Sequence, residues 1–408
     1  MAIQTTANLT NSIAAVYKSK YILGANQVRL YDQFAAPYTD FGADGKTMDE
    51  LMHSSSINVP FMSDMEPGVT AISETADTVP QTLIDATANM TWTSRGESLQ
   101  WSEKLVESVY TDYTAQAYNK VGQNAMESIE LLAEAAALQG SWVERATTRT
   151  LLDAGTATHR ASDSIFRKYD GMMQSMRVPG YLGDDAQTQL WSAVMHPFCF
   201  HDIGESGNVD VIGQYTNPEI HLNWQLGQIG RFRLLSSPYA KVFGAAGAVC
   251  TAGDVDDSIA VAVNALATTL TSTTNVAASA AYGMFWWLGT EETANVFYPT
   301  NEPIKVLSAV TTAITFMGRA PNGGLRFSHP ILTGFQNNDS VYTICFGGPQ
   351  SLVKVFATDV GEFGKTVGPK VTGNLDQFNT LSWKYYGGYK LLSTNRILRF
   401  EHSTSYEA

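Results

Sequence analysis

The sequence predicts an α+β fold, and three observations predict it. One helical pattern, running from Gln100 to Gly155, is longer than any other in the chain. Short alternating or apolar runs with strand character lie on both sides of it, among them Ile57 to Met62, Ala88 to Thr93, Val341 to Phe346, Leu352 to Phe356 and Ile397 to Phe400. No period of about twenty to fifty residues recurs, which excludes a solenoid or a propeller.

Within the long pattern, apolar or small residues recur at Leu105, Val109, Tyr113, Ala117, Val121, Ala125, Ile129, Leu132 and Ala136. That spacing of three or four keeps them on one helical face. Glu103, Lys104, Glu107, Asp112, Lys120, Glu127, Glu130 and Glu134 lie mostly off the stripe. No proline interrupts the run, and Gly122 costs up to about 1 kcal/mol relative to alanine. A single helix of this length would span roughly 80 Å. A short helix followed by a long one is therefore expected, broken near Thr111 to Thr114 and stopped at Asp153 to Gly155. Such a pair is either the core of an ordinary domain or a spine along which an extended, flat subunit is built, and helix length alone does not decide between them.

Composition narrows the function. Apolar residues make up 44% of the 408-residue chain and aromatics 11%, enough for a substantial core. Charged residues make up only 16%, which fits a subunit whose surface is largely covered by partners. The formal net charge is -13 and no basic tract exists, against nucleic-acid binding as the main task. Cys199, Cys250 and Cys345 are far apart and odd in number, the pattern of buried thiols in a reducing compartment. Met1 to Ser12 has neither a basic region nor an apolar core, so no secretory signal is expected.

The other elements follow in order. Residues 1–56 read as an arm, with a helical pattern through Ile13, Val16, Tyr17, Tyr21 and Ile22 that continues weakly to Phe34. Tyr17, Tyr21, Tyr31 and Phe34 are its expected anchors on a neighbouring subunit. Residues 57–95 read as a long hairpin with a polar, acidic tip around Asp64, Glu66, Glu74 and Asp77. A hairpin of this kind cannot bury itself alone. Its expected partners are Arg167, Lys168 or Arg177 across a subunit interface. Ser164 to Met176 has helical spacing ended by Pro179-Gly180. Leu190 to Met195 reads as a buried strand, Pro197 to Ile203 as a helix opened by proline, and Gly230 to Ser236 as a strand. Ser258 to Thr290 contains no charged residue but too much Thr, Ser and Asn to span a membrane. A buried helix followed by strands is expected there, with Phe285 to Leu288 deep in a lobe. Tyr385-Tyr-Gly-Gly-Tyr389 has the composition of a strand that meets a close neighbour.

Arm, hairpin and spine, in that order, resemble the major capsid proteins of tailed phages. Five stretches carry a resemblance to the N-four-type phage major capsid family: Ile57-Asn-Val-Pro60 with Thr70-Ala-Ile-Ser-Glu74 and Pro80; Gly96 to Glu103; Ala193-Val-Met-His-Pro197; Gly227 to Pro238; and Trp383 to Phe400. Each motif alone is weak and their order is the specific part. Residues 247 to 334 match least and read as an insertion or a divergent lobe. The resemblance implies the Hong Kong 97-type fold: an arm at 1–56, an extended loop at 57–95, a peripheral domain with the spine at 96–180, an axial domain at 181–364, and C-terminal strands at 365–408 that return to the peripheral domain.

Few residues point to other chemistry. His196, Cys199, His201 and Asp202 are metal-ligand types close in sequence, and a metallohydrolase using His196, His201 and Asp202 is the alternative of another class. A closed ligand set is missing, and the resemblance makes His196-Pro197 a strand-to-helix corner. Gly244-Ala-Ala-Gly-Ala-Val lacks the Gly-Lys-Ser/Thr ending of a phosphate loop. Glu127, Glu130 and Glu134 have the helical spacing of di-iron carboxylates, but no Glu-x-x-His pair accompanies them. A solvated or subunit-facing acidic stripe is expected. No catalytic residue, cofactor or metal is expected.

The expected function is structural: pentamers and hexamers that form an icosahedral head around phage DNA, held without specific binding. The expected partners are further copies of the chain, scaffolding and portal proteins, and decoration proteins. No membrane is involved, and the expected location is the virion after assembly in the host cytoplasm. An encapsulin-like compartment is the alternative within the same fold.

Overall fold

The spine is a short helix, α1 (Glu103–Ser108), followed by a long one, α2 (Tyr113–Ala137). The computed structural model describes residues 29–37, 56–62, 65, 80–91, 93–108, 112–148, 152, 156–180, 190–205, 228–243, 257–273, 285–290, 297–330, 334–336, 340–357, 360–372, 377–391 and 394–407. Asp112 caps α2, its Oδ1 accepting the Ala115 N–H at 3.0 Å. The helix stops at Ala137, well before the expected stop at Asp153 to Gly155, which lies outside the described residues. Gly140 and the β-branched Val143, Thr147 and Thr148 follow it, and Val143–Arg145 is already a strand. Gln100 belongs to the strand Thr93–Ser102 and not to the spine.

Internal contacts divide the chain into two compact units, Met1–Ala136 with Gln350–Leu392, and Ala137–Pro349 with Ser393–Ala408. The first unit is built on one long strand, Phe378–Leu391. It pairs antiparallel with Thr93–Ser102, Lys365–Thr372 and Leu352–Phe356, and Ala35–Pro37 adds parallel to the last. Alternate residues Leu381, Trp383 and Tyr385 point to one buried face. α2 lays Ala117, Tyr118, Val121, Ala125, Met126 and Ile129 against them. Each such large side chain contributes about 1.5–3 kcal/mol by leaving water. Gly387 fits the expectation of a close neighbour, since an added Cβ would lie 2.4 Å from the Val355 carbonyl oxygen.

Ser56–Met62 and Asp85–Thr91 pair antiparallel as a two-stranded sheet of their own, with Ile57 opposite Met90. The acidic tip beyond Met62 lies outside the described residues, apart from Met65.

The second unit holds two sheets. One runs in the order Val143–Arg145, Ile397–His402, Val341–Gly347, Trp191–Met195, Phe232–Ser236, Gln228–Ile229, with Val242–Phe243 on the end of Val341–Gly347. Trp191–Met195 and Val341–Gly347 are buried at every residue, which explains why they do not alternate between apolar and polar, Ser192 and Thr343 being their small polar exceptions. The helices α3 (Asp163–Ser175) and α4 (Pro197–Glu205) add Phe166, Tyr169, Met173, Cys199 and Ile203 to this core.

The other sheet runs Asp257–Ser258, Gly334–Gln336, Phe285–Thr290, Phe297–Val310, Ala313–Met317, Thr269–Thr271. Its edges meet through a bridge between Ile259 and Ser272, and Ala260 donates its N–H to Thr271 O at 2.7 Å. The sheet therefore closes into a small barrel around Ile259, Trp286, Leu288, Ile304, Val306, Ile314, Phe316 and Leu325. The deep burial expected of Phe285 to Leu288 holds for Trp286, Trp287 and Leu288. The helix expected early in Ser258 to Thr290 does not form among the described residues. Val261, Val263, Thr268, Thr269 and Thr271 are branched at Cβ and favour extended backbone.

Candidate functional site

The segment at the root of the arm occupies a socket in the first unit. Residues 1–28, with Tyr17 and Tyr21, lie outside the described residues. Tyr31–Phe34 is a single 3-10 turn, and both Tyr31 and Phe34 are fully buried within their own unit. These two anchors thus serve their own subunit instead of a neighbour, because the socket offers the turn both apolar contact and hydrogen-bond acceptors.

Glu130 is the main acceptor. Its Oε1 takes the backbone N–H of Leu30 and of Tyr31, each at 2.8 Å, and Oε2 is buried with no hydrogen-bond partner. Burial raises its carboxyl to about 7, against the lowering effect of the two N–H groups. Glu130 and Glu134 are buried, so the expected solvated acidic stripe is not what this face of α2 presents.

Beside Glu130 lies a charge quartet. Arg29 pairs with Asp32, and with Glu362 at 2.6 Å. Lys354 reaches Asp32 at 3.0 Å and Glu362 at 2.5 Å. Tyr389 donates its hydroxyl to Asp32 Oδ1 at 2.9 Å, and the Arg29 guanidinium lies over the Phe363 ring at 4.6 Å. Burial alone would lower the Arg29 pKa, but Asp32 and Glu362 outweigh it and raise it. Burial would raise the Glu362 carboxyl, but hydrogen bonds from Lys354 and Arg29 hold it below its ordinary value. Two cations thus balance two carboxylates, the condition under which buried charge is tolerated. The arrangement fixes a chain segment; it leaves no reactive group in an open cleft.

The second unit gathers the residues of the metallohydrolase alternative, but not as ligands. His196 is buried, and its ring accepts the Phe198 N–H at Nδ1 at 3.3 Å. The rings of Phe198, Trp287 and Tyr342 surround it with centroids at 4.8, 5.5 and 5.3 Å. Burial, then the charge of Arg319, pushes its pKa down to about 3. Asp202 accepts the Ser405 N–H at 3.2 Å and the Ser405 hydroxyl, tying down the C-terminus. His201 lies largely exposed beside Tyr406. Cys199 pairs with a residue that sequence spacing did not suggest, His402. His402 Nδ1 is 2.7 Å from the Ser403 carbonyl, so Nδ1 carries the proton and Nε2 accepts the Cys199 thiol at 3.2 Å. Burial pushes the thiol pKa up and brings His402 down to about 4. A neutral thiol and a neutral imidazole, both fully buried, make a structural contact and not a nucleophile. No group of three His, Cys, Asp or Glu side chains among the described residues is arranged to hold a metal ion.

Of the three basic residues expected to face the hairpin tip, Arg167 and Lys168 have partners in their own subunit. Arg167 pairs with Asp163 at 2.8 Å and Lys168 with Glu144 at 3.8 Å. Arg177 takes a positive φ of 50° at the end of α3. No helix among the described residues is long and apolar enough to cross a membrane.

No protein-family model and no curated protein matches the chain. Solved structures do. The capsid of Ralstonia phage GP4 superposes with a TM-score of 0.52 at 12% identity, over 93% of this chain and 92% of that one. The capsid asymmetric unit of cyanophage Pam1 gives 0.49 at 11% identity, over 91% and 89%. The mature capsid of bacteriophage PhiM1 gives 0.48 at 9% identity, over 91% and 86%. The Ralstonia phage likeness runs through nearly the whole of both chains and is one of fold: the chain has the α+β fold of a phage capsid subunit, as its sequence predicts. The narrower N-four-type resemblance rests on the five sequence motifs alone.

Proposed function

We propose that this chain is a major capsid protein that self-assembles into pentamers and hexamers and closes an icosahedral shell around phage DNA. The observation that carries the reading is the likeness in fold to the Ralstonia phage GP4 capsid, end to end in both chains. Physical features support it. A net charge of -13 lets a shell enclose dense DNA without gripping the phosphates. The two-stranded hairpin is too small to be stable without something to lie on. The Cys199 thiol and the His196 and His402 imidazoles are neutral and enclosed, which favours no chemistry at those three groups.

In this reading the unit with α2 is the peripheral lobe and the other is the axial lobe. α3 and the strand Ile397–His402 then go with the axial lobe and the strand Leu352–Phe356 with the peripheral lobe, which shifts three of the limits drawn from sequence. The hairpin at 57–95 is the extended loop, and residues 1–28 continue the arm. The protein would be a virion component assembled in the host cytoplasm, with scaffolding, portal and decoration proteins as partners.

Negative-stain microscopy of the purified protein, alone and co-expressed with the products of its neighbouring genes, tests the proposal. Closed particles of uniform diameter are expected. A chain that stays monomeric in every combination would overturn it.

A further inference from the structure

We propose that the face of the first unit's sheet that turns away from α2 binds the phosphate backbone of a nucleic acid. α1 and α2 pack on the other face, against Leu381, Trp383 and Tyr385. The strand Phe378–Leu391 therefore turns Phe378, Thr380, Ser382, Lys384, Tyr386 and Lys390 away from both helices. Lys365 lies directly opposite Lys384, and Lys370 directly opposite Thr380, so both share that face. Four lysines thus meet on one sheet, although they are scattered along the sequence. Lys365 and Lys370 are exposed, and Lys384 and Lys390 are half-buried. From position 380 to position 390 the row runs about 33 Å, at roughly 3.3 Å per residue. That length crosses several phosphates of a strand.

The face gathers cations without carboxylates. Asp32 and Glu362 sit in the socket on the α2 side, where Lys354 lies opposite Tyr389. The acidic residues of α1 and α2 belong to helices on that side. Glu97 is in register with Trp383, and Asp85 stands at the far end of the hairpin ladder, opposite Met62. Asp359 and Asp376 lie outside the described residues. Like charges directly across a ladder repel, and an anion laid over Lys365 and Lys384 relieves that repulsion. Two rings share the face. The Lys384 ammonium lies over Tyr386 at 5.2 Å from its centre, and Phe378 is 44% exposed. Bases stack on such rings, which favours nucleic acid over an acidic peptide. The net charge of -13 keeps the contact local and weak, about micromolar or weaker at physiological salt. Duplex DNA and an unpaired strand share this backbone chemistry. The inference goes beyond the shell-forming reading, since binding is read on free subunits.

Fluorescence anisotropy of free, full-length subunits with a labelled duplex and a labelled single strand tests it. Contact with three to four duplex phosphates predicts that affinity falls about 40- to 150-fold between about 50 and 200 mM salt. Lys370→Gln/Lys384→Gln/Lys390→Gln is expected to bind at least about tenfold more weakly and to lower the salt slope by about one per lysine. Lys104→Gln/Lys120→Gln, which removes charge from the helices instead, is expected to bind as the unmodified chain does. Equal binding by the triple variant, an equal loss in the helix variant, or binding indifferent to salt overturns the proposal. If circular dichroism shows the triple variant unfolded, acetylation of the unmodified chain decides. Lys384 and Lys390 are then expected to react at least about fivefold more slowly with nucleic acid bound, and unchanged rates overturn the site. Tighter binding of the duplex assigns the face to packaged DNA, and tighter binding of the single strand assigns it to an unpaired one; both uphold phosphate recognition. Capture of polyglutamate with no binding of either nucleic acid overturns the choice of ligand. Absence of particles from the unmodified chain overturns the shell-forming reading and leaves this one standing.

Discussion

The Glu130 carboxylate accepts the backbone N–H of Tyr31 at 2.8 Å across 99 residues of sequence. The contact fixes the root of the arm to α2, and it titrates. The Glu130 carboxyl is raised from 4.5 to about 7 in the folded chain. Below about pH 4.5 both states bind the proton and the full contribution is present. As pH climbs, the unfolded state ionises first, so stability falls until the pH passes about 7. A shift of that size corresponds to roughly 3 kcal/mol. His196 and His402, held neutral in the other unit, give the opposite slope below their ordinary value of 6.5, so the probe must be local. Amide protection factors for residues 30–36 are expected to fall between pH 5 and 8, and to be flat in Glu130→Gln, which keeps an acceptor oxygen. An unchanged slope in Glu130→Gln would assign the titration to another group.

Lys354 is the second point of attachment. Lys354→Met keeps the apolar stem but leaves Asp32 and Glu362 facing Arg29 alone. Removing one partner from a buried pair costs about 3–5 kcal/mol, and partial exposure of Glu362 argues for the lower end. The segment Tyr31–Phe34 should then become cleavable by protease in free subunits while the strand Phe378–Leu391 stays intact. Resistance equal to that of the unmodified chain would mean that apolar burial of Tyr31 and Phe34 alone holds the segment.

Elements governed by local pattern were legible in the sequence. α2, α3, α4 and the strands Trp191–Met195, Val341–Gly347 and Leu352–Phe356 lie close to where periodicity put them. The socket was not legible, for a physical reason. Glu130 sits in an acidic row with Glu127 and Glu134, and only the docking of Tyr31 from far away distinguishes it. One usable signal existed: Lys354 interrupts the apolar run Leu352-Val-Lys-Val-Phe356, and a lone cation in a buried strand requires a partner. The barrel is not legible in the sequence because a run of Ala, Thr and Val suits a buried helix or a strand equally until its pairing partners are known. Cys199 and His402 meet because their parent elements share one core, which spacing along the chain cannot reveal.

Cys199 supplies a chemical prediction. Its thiol is enclosed and its pKa is raised by burial, so little thiolate forms near neutrality. Native protein treated with iodoacetamide at pH 8 should leave Cys199 unmodified, and denatured protein should be modified fully. Purified protein should also hold no stoichiometric zinc, and His196→Ala and His201→Ala should not alter its metal content. Rapid native labelling of Cys199, or zinc that is lost in both variants, would revive the catalytic alternative.

The hairpin gives the most direct test of how subunits meet. Ser56–Met62 and Asp85–Thr91 hydrogen-bond only to each other among the described strands. Met90 is buried, but Thr87, Asn89 and Thr91 alternate with it toward solvent, and Leu83 and Ile84 just before the strand are exposed. An isolated two-stranded ladder is marginally stable in water, because its few cross-strand contacts of about 0.2–1 kcal/mol each barely offset the cost of ordering the chain. Free subunits should therefore exchange the amides of residues 85–91 orders of magnitude faster than those of Phe378 to Lys384, the part of the long strand that is paired on both sides. In assembled particles the two sets should converge, since a neighbouring subunit would then cover the ladder. Ile84→Asp should leave the free subunit as stable as before, because the side chain is 72% exposed, and should lower the thermal stability of the particle. Slow exchange at 85–91 in free subunits, or particles indifferent to Ile84→Asp, would place the support for the hairpin inside its own chain.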